Sequence, residues 1–196
     1  MRWQQQGDRK MHRTFRWAGL SLVFGLWSGA ASAETGGLPP WHFGMTPQQV
    51  SAFADYGPYR AFGNGDVETY AGLFDGRKEN VQFFFKDGKL ARIGVYLYEG
   101  QDLKEAAKAW GRTYATLKSM FGDIELPDVH VVGEDKALTP EQVGAAGGAN
   151  TEVTGKSQMA PIRQPADKFV FASLRRATTQ GQVFYYVTVY YDPPRS

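Results

Sequence analysis

Asp87-Gly88 stands between two runs that alternate apolar and polar residues, and this arrangement limits the fold more than any other feature of the chain. A two-residue hairpin turn needs positive φ at both central positions to match the twist of its strands, which Asp-Gly supplies at low cost. The flanking segments Asn80–Lys86 and Lys89–Glu99 are therefore expected to pair as antiparallel strands. Side chains alternate across a strand, so Val81, Phe83 and Phe85 share one face, as do Ala91, Ile93, Val95 and Leu97. The other face carries Gln82, Lys86, Arg92, Tyr96 and Tyr98. A hairpin with one apolar face must find a cover for it.

The cover follows directly in sequence. Leu103–Phe121 reads as a helix, with Asp102 and Glu105 as a capping pair and Gly122 at the terminating position. Leu103, Ala106, Ala107, Trp110, Tyr114, Leu117 and Phe121 fall on one stripe at helical spacing. A shorter helix is expected after Thr46-Pro47-Gln48-Gln49, where Thr caps, Pro suits the first turn and Gln bonds back. Gly57-Pro58 ends it, with Val50 and Phe53 as its apolar side. Val67–Phe74, Phe169–Arg176 and Gln182–Asp192 read as further strands. Consecutive strands followed by a helix predict an α+β fold, an antiparallel sheet with helices on one face. The order suggests two diverged helix-and-hairpin halves, 42–100 and 101–196. Residues 133–167, rich in Gly, Ala, Thr, Gln and Pro, read as a long irregular insertion, expected to be disordered or functional. Thr139-Pro140-Glu141-Gln142 repeats the capping pattern inside it, marking a short helix.

The first 33 residues have a different character. Arg2, Arg9, Lys10, Arg13 and Arg16 precede an apolar run of 11 residues, Trp17–Trp27, and the small residues Ser28–Ala33 follow. A positive end, a short apolar stretch and an Ala31-Ser32-Ala33 close are the order a cleavable secretory signal needs. A membrane-spanning helix needs roughly 20 apolar residues. Cleavage near Ala33 is expected, with Met1 or Met11 as the start and a periplasmic or secreted location. Glu34–Trp41 then forms a flexible lead to a domain at 42–196, with no membrane span after cleavage. Removing five of the 22 basic and one of the 20 acidic side chains leaves 17 against 19, a net charge of −2. That balance gives no electrostatic reason to expect nucleic acid as partner. The chain has no cysteine, which excludes disulfides, thiolate nucleophiles and cysteine-ligated metals.

Phe43-Gly44-Met45-Thr46-Pro47-Gln48-Gln49-Val50, with Gly57-Pro58 and the hairpin reaching Tyr98, resembles the opening of the SmpA/OmlA small outer-membrane proteins. It is similar in the same way to β-lactamase-inhibitor-protein-like domains. The likeness covers residues 41–99. It implies an α+β binding module of the cell envelope that works through protein contacts. The lipid-acceptor Cys of a lipoprotein is absent, and residues 101–196 have no counterpart in a single such domain.

Catalytic patterns are absent from the sequence: there is no Gly-x-Ser-x-Gly elbow and no phosphate loop with a following Lys-Ser/Thr. No cofactor is expected. His42 beside Trp41 reads as structural or exposed. Asp123, Glu125, Asp128 and His130 could supply oxygen and imidazole to a metal, although Pro127 interrupts them and a solvated acidic edge explains them as well. The remaining signal is aromatic. In Tyr185-Tyr186, Tyr190-Tyr191 and Phe83-Phe84 adjacent rings must lie on opposite sheet faces. Either both faces are covered, or one forms an aromatic binding surface. Tyr96, Tyr98, Tyr186 and Tyr190, rimmed by Arg175 and Arg176, are the candidate residues. The expected role is a non-catalytic module binding an envelope protein or peptide. The alternatives are a carrier with an aromatic pocket for a small ligand, and a metal-dependent hydrolase.

Overall fold

The structure, a computed structural model, describes residues 36–125, 129–133, 135–139, 142–143, 153–155 and 157–195. The leader, Asp128 and part of the 133–167 insertion lie outside the described residues. From Gly36 onward, the segment expected as a flexible lead is paired and packed. Gly37–Leu38 (β1) pairs with Trp41–His42 (β2), and Leu38 and Trp41 are buried in the main core. The Lys168 ammonium donates to Gly37 O at 3.0 Å. Glycine and proline in this stretch suggested a tether, but burial of Leu38 and Trp41, the β1–β2 pairing and the Lys168 bond together offset the freedom the segment loses.

Thr46 caps Pro47–Ser51 (α1) through a complete capping box with Gln49. The helix stops at Ala52, short of Gly57, and Ala54–Tyr56 continues as a 3-10 turn. Tyr59–Ala61 (β3), Val67–Phe74 (β4), Arg77–Lys86 (β5) and Lys89–Gly100 (β6) then form an antiparallel meander. Asp75-Gly76 and Asp87-Gly88 turn its hairpins with positive φ at all four residues. Leu103–Phe121 (α2) has the expected bounds. The Asp102 carboxylate accepts from the Lys104 and Glu105 N–H groups, and Gly122 ends the helix at φ 83°. Ile124–Glu125 (β7) follows, then the pair Val129–Val131 (β8) and Val153–Gly155 (β9). Gln158–Pro161 (β10), Phe169–Thr179 (β11) and Gln182–Asp192 (β12) complete the fold. Part of the expected insertion is thus sheet: β10 pairs with both β7 and β11.

The main sheet has eight antiparallel strands in the order β3-β4-β5-β6-β12-β11-β10-β7. Its two four-strand halves meet through their last strands, β6 and β12. The fold is α+β. Val67, Val81, Phe83, Ile93, Val95, Val187, Val189, Val170 and Ala172 point to one face, where Trp41, Val50 and the α2 residues Trp110 and Leu117 join them in a single core. The buried stripe of α2 is Ala106, Ala109, Trp110, Thr113 and Leu117, so it is rotated from the expected one; Ala107 and Tyr114 are only half-buried. Thr113 tolerates burial because its hydroxyl donates to Ala109 O at 2.7 Å.

Besides a register shift in β4 between Thr69 and Gly72, which leaves Phe74 buried and Leu73 exposed, two more move side chains between faces. One between Phe84 and Phe85 makes Leu90, and not Ala91, the buried residue of β6. The other, between Val187 and Thr188, puts Tyr96 opposite Thr188 but Tyr98 opposite Val187. Each bulge adds one residue to a strand and so reverses every later side chain.

Candidate binding surface on the open sheet face

The second face of β5, β6, β11 and β12 is built from the residues that alternate with the core. Across the strands the register aligns Phe169, Asp192, Arg92 and Phe84 in one row, and Phe171, Tyr190, Gly94 and Gln82 in the next. Further along come Ser173, Thr188, Tyr96 and Asn80, and then Arg175, Tyr186 and Glu99. Every adjacent ring pair divides as the alternation requires. Phe83 and Tyr191 are buried in the core, while Phe84 and Tyr190 lie half-buried on the open face. Tyr185 packs against the core and Tyr186 faces away from it.

The open face is held by rings and guanidinium groups. Phe171 stacks on Tyr190, with ring centroids 5.1 Å apart and planes inclined by 28°. Tyr96 meets Tyr186 edge to face at 6.3 Å, and Phe184 lies 6.5 Å from Tyr186. The Arg92 guanidinium sits over Tyr190 at 5.1 Å and Phe171 at 5.7 Å, that of Arg175 over Tyr186 at 5.5 Å, and that of Arg195 over Phe169 at 3.5 Å. Arg92 also grips Asp192 with a two-point bond, Nε–Oδ1 2.6 Å and Nη2–Oδ2 2.7 Å. That bond raises the Arg92 pKa further above its ordinary value. Burial pushes the Tyr96 hydroxyl well above the usual tyrosine value, and the neighbouring Tyr190 adds to it. Gly94 makes the close ring approach possible, because a Cβ there would lie 3.2 Å from both Phe84 and Tyr190.

Four of the six candidate surface residues, Tyr96, Arg175, Tyr186 and Tyr190, share this face. Tyr98 does not: its hydroxyl accepts the Asp102 N–H at 3.0 Å, beside the start of α2. Arg176 lies opposite Tyr185 on the other side of the sheet and is exposed. Sequence reasoning left out Phe169, Phe171, Asp192 and Arg195, and gave Arg92 no role. Period-2 reading of Phe169-Val170-Phe171 could have found the two phenylalanines. The Arg92–Asp192 bond spans 100 residues of sequence and has no local signal.

For the metal reading, Glu125 pairs with Ala160 at the sheet edge and His130 lies in β8. Among the described residues, no group of three or more His, Cys, Asp or Glu side chains is placed to hold a metal ion. His42 is half-buried, and its backbone N–H donates to the Met45 sulfur. No described helix is long and apolar enough to cross a membrane. The open face offers ring edges, guanidinium donors and hydroxyls, groups that can stack and pair with charge. The chain matches no family model, and comparison with curated proteins and with solved structures also gives no match, so the likeness at Phe43–Val50 rests on its own residues.

Proposed function

We propose that this chain is exported to the periplasm and acts there as a non-catalytic binding module, with the open face of its sheet engaging another envelope protein or peptide. The supporting observation is the division of labour between the faces. The core is closed on the helix side, yet β11 and β12 also carry Phe169, Phe171, Phe184, Tyr186 and Tyr190 on the other side. A sheet face that served only solubility would carry short polar side chains there. Aromatic residues and arginine are the types enriched at protein interfaces, and here they are pre-packed, so little side-chain freedom is lost on binding.

The test pairs a binding readout with a folding control. Tyr186→Ala with Arg175→Ala removes half-exposed and exposed groups and should leave the melting temperature within a few degrees. It should also abolish cross-linked capture of a partner from envelope extract. Equal capture by both proteins would sink the reading. Export is checked separately by sequencing the N-terminus of native material, which should begin near Glu34.

A further inference from the structure

At its Asp192 end the open face runs into a cleft of about 440 Å³, lined among others by Phe84, Lys86, Arg92, Asp192, Pro193 and Arg195. Its charge is unbalanced. Arg92 already engages Asp192, but Lys86 and Arg195 are exposed and have no carboxylate within ion-pair distance among the described residues. Of the neighbouring acids, Asp66 is held by the Phe85 N–H at 2.9 Å and the Asn64 amide at 2.8 Å, and Asp87, beside Lys86 in the hairpin turn, does not line the cleft. At the opposite end Arg175 and Glu99 flank Tyr186 in one row and offset each other. Among the described residues of the open face, the excess of basic side chains therefore lies at the Asp192 end.

The surface leading away from the cleft has the dimensions of an extended chain. From Asp192 to Phe184 it follows eight steps along β12, roughly 26 Å at about 3.3 Å per residue. That is too long for one small metabolite. Its side chains recur at every second residue, the same interval at which an extended peptide presents its own. We propose, building on the protein-binding reading above, that the face receives an extended acidic segment of a partner protein. One or two carboxylates enter the cleft between Lys86, Arg92 and Arg195, and apolar side chains at alternate positions lie along Phe171, Tyr190 and Tyr186. Charge sets the direction of the segment and the rings set its spacing.

The experiment is selection of a displayed library of random nonapeptides on the purified native protein. A charge-reversed variant, Lys86→Glu with Arg195→Glu, is selected in parallel. Both side chains are exposed, so the variant should melt like the parent; if it does not fold, Lys86→Gln with Arg195→Gln replaces it. Native protein should enrich Asp or Glu at one end, followed by aromatic or aliphatic residues at alternate positions. The variant should lose the acidic preference while keeping the alternation, and should bind a selected acidic peptide roughly tenfold more weakly, as expected for losing and reversing two exposed ion pairs. Apolar alternation without acidic enrichment on native protein overturns the cleft assignment and leaves the binding face standing. No enrichment on native protein overturns both. Binding of a heparin oligosaccharide in place of any peptide overturns the peptide in favour of an anionic glycan.

Discussion

Trp41→Ala tests whether the lead segment is a structural anchor. Trp41 is fully buried, and its indole N–H donates to Val50 O at 3.3 Å. Its ring centroid lies 4.8 Å from those of both Tyr56 and Phe83 and 6.4 Å from that of Phe53. Burying about 200 Å² of aromatic surface at about 25 cal/mol per Å² gives an upper value of about 5 kcal/mol. Lost ring contacts and the orphaned Val50 carbonyl add to that, and partial collapse of the site subtracts, which leaves about 3–5 kcal/mol. Trp41→Phe keeps most of the ring and loses mainly the hydrogen bond, so its cost should be about 1–2 kcal/mol. Urea unfolding of the processed protein, followed by circular dichroism, measures both. The midpoint should drop sharply for alanine with an unchanged slope. An alanine cost below about 1 kcal/mol would show that Gly36–Trp41 contributes no more than a tether, and the packing argument for this end of the fold would fail.

The Tyr191 hydroxyl is buried without a partner among the described residues, so Tyr191→Phe should stabilise the protein by about 1 kcal/mol in the same urea assay. Burial raises the pKa of both Tyr191 and Tyr96. The folded chain keeps these protons at a pH where the unfolded chain has released them. Stability should therefore fall as pH rises past about 10, and Tyr191→Phe should lessen that fall in a pH series of melting temperatures. Arg92 is half-exposed although Asp192 is mostly buried, so a double-mutant cycle of Arg92→Met with Asp192→Asn should give a coupling of about 1 kcal/mol, measured by urea unfolding. Asp102→Ala removes the acceptor for two N–H groups at the start of α2 and should cost about 1 kcal/mol, read from the loss of thermal stability.

The parts of the fold visible in the sequence are those governed by local chemistry. Asp87-Gly88, the Asp102 cap and Gly122 fix backbone angles within a few residues, and β6, α2 and β12 begin and end within a residue of their expected bounds. The failures arise where distant contacts decide. The bulge at Val187/Thr188 is a property of two paired strands, so Tyr98 looked equivalent to Tyr96 until β12 was placed beside β6. The α2 stripe shifted because the hydroxyl of Thr113 can satisfy itself on its own helix, which periodicity of apolar residues does not register. β10 was hidden because Gln158-Met159-Ala160-Pro161 has little strand propensity and gains its place from β7 and β11 on either side. For the candidate site, period 2 divided the ring pairs correctly, whereas the partners of Arg92 came from the far end of the chain.

Topology explains why the candidate surface lies where it does. Each half of the sheet ends on its longest hairpin, and the two final strands, β6 and β12, pair with each other. This join brings Arg92 and Tyr96 beside Tyr186, Tyr190 and Asp192 in the middle of the sheet, where strands are flanked on both sides and backbone motion is most restricted. Residues on the core face of the same strands are committed to Trp110, Leu117 and their neighbours, so the alternating residues are free to change without emptying the core. A ring or guanidinium placed there is positioned by the backbone hydrogen bonds of two strand pairs, and contributes little to the burial that keeps those strands together. Substitutions at Tyr186 or Arg175 should thus separate recognition from stability, whereas the same changes at Tyr191 or Tyr98, one face away, would not.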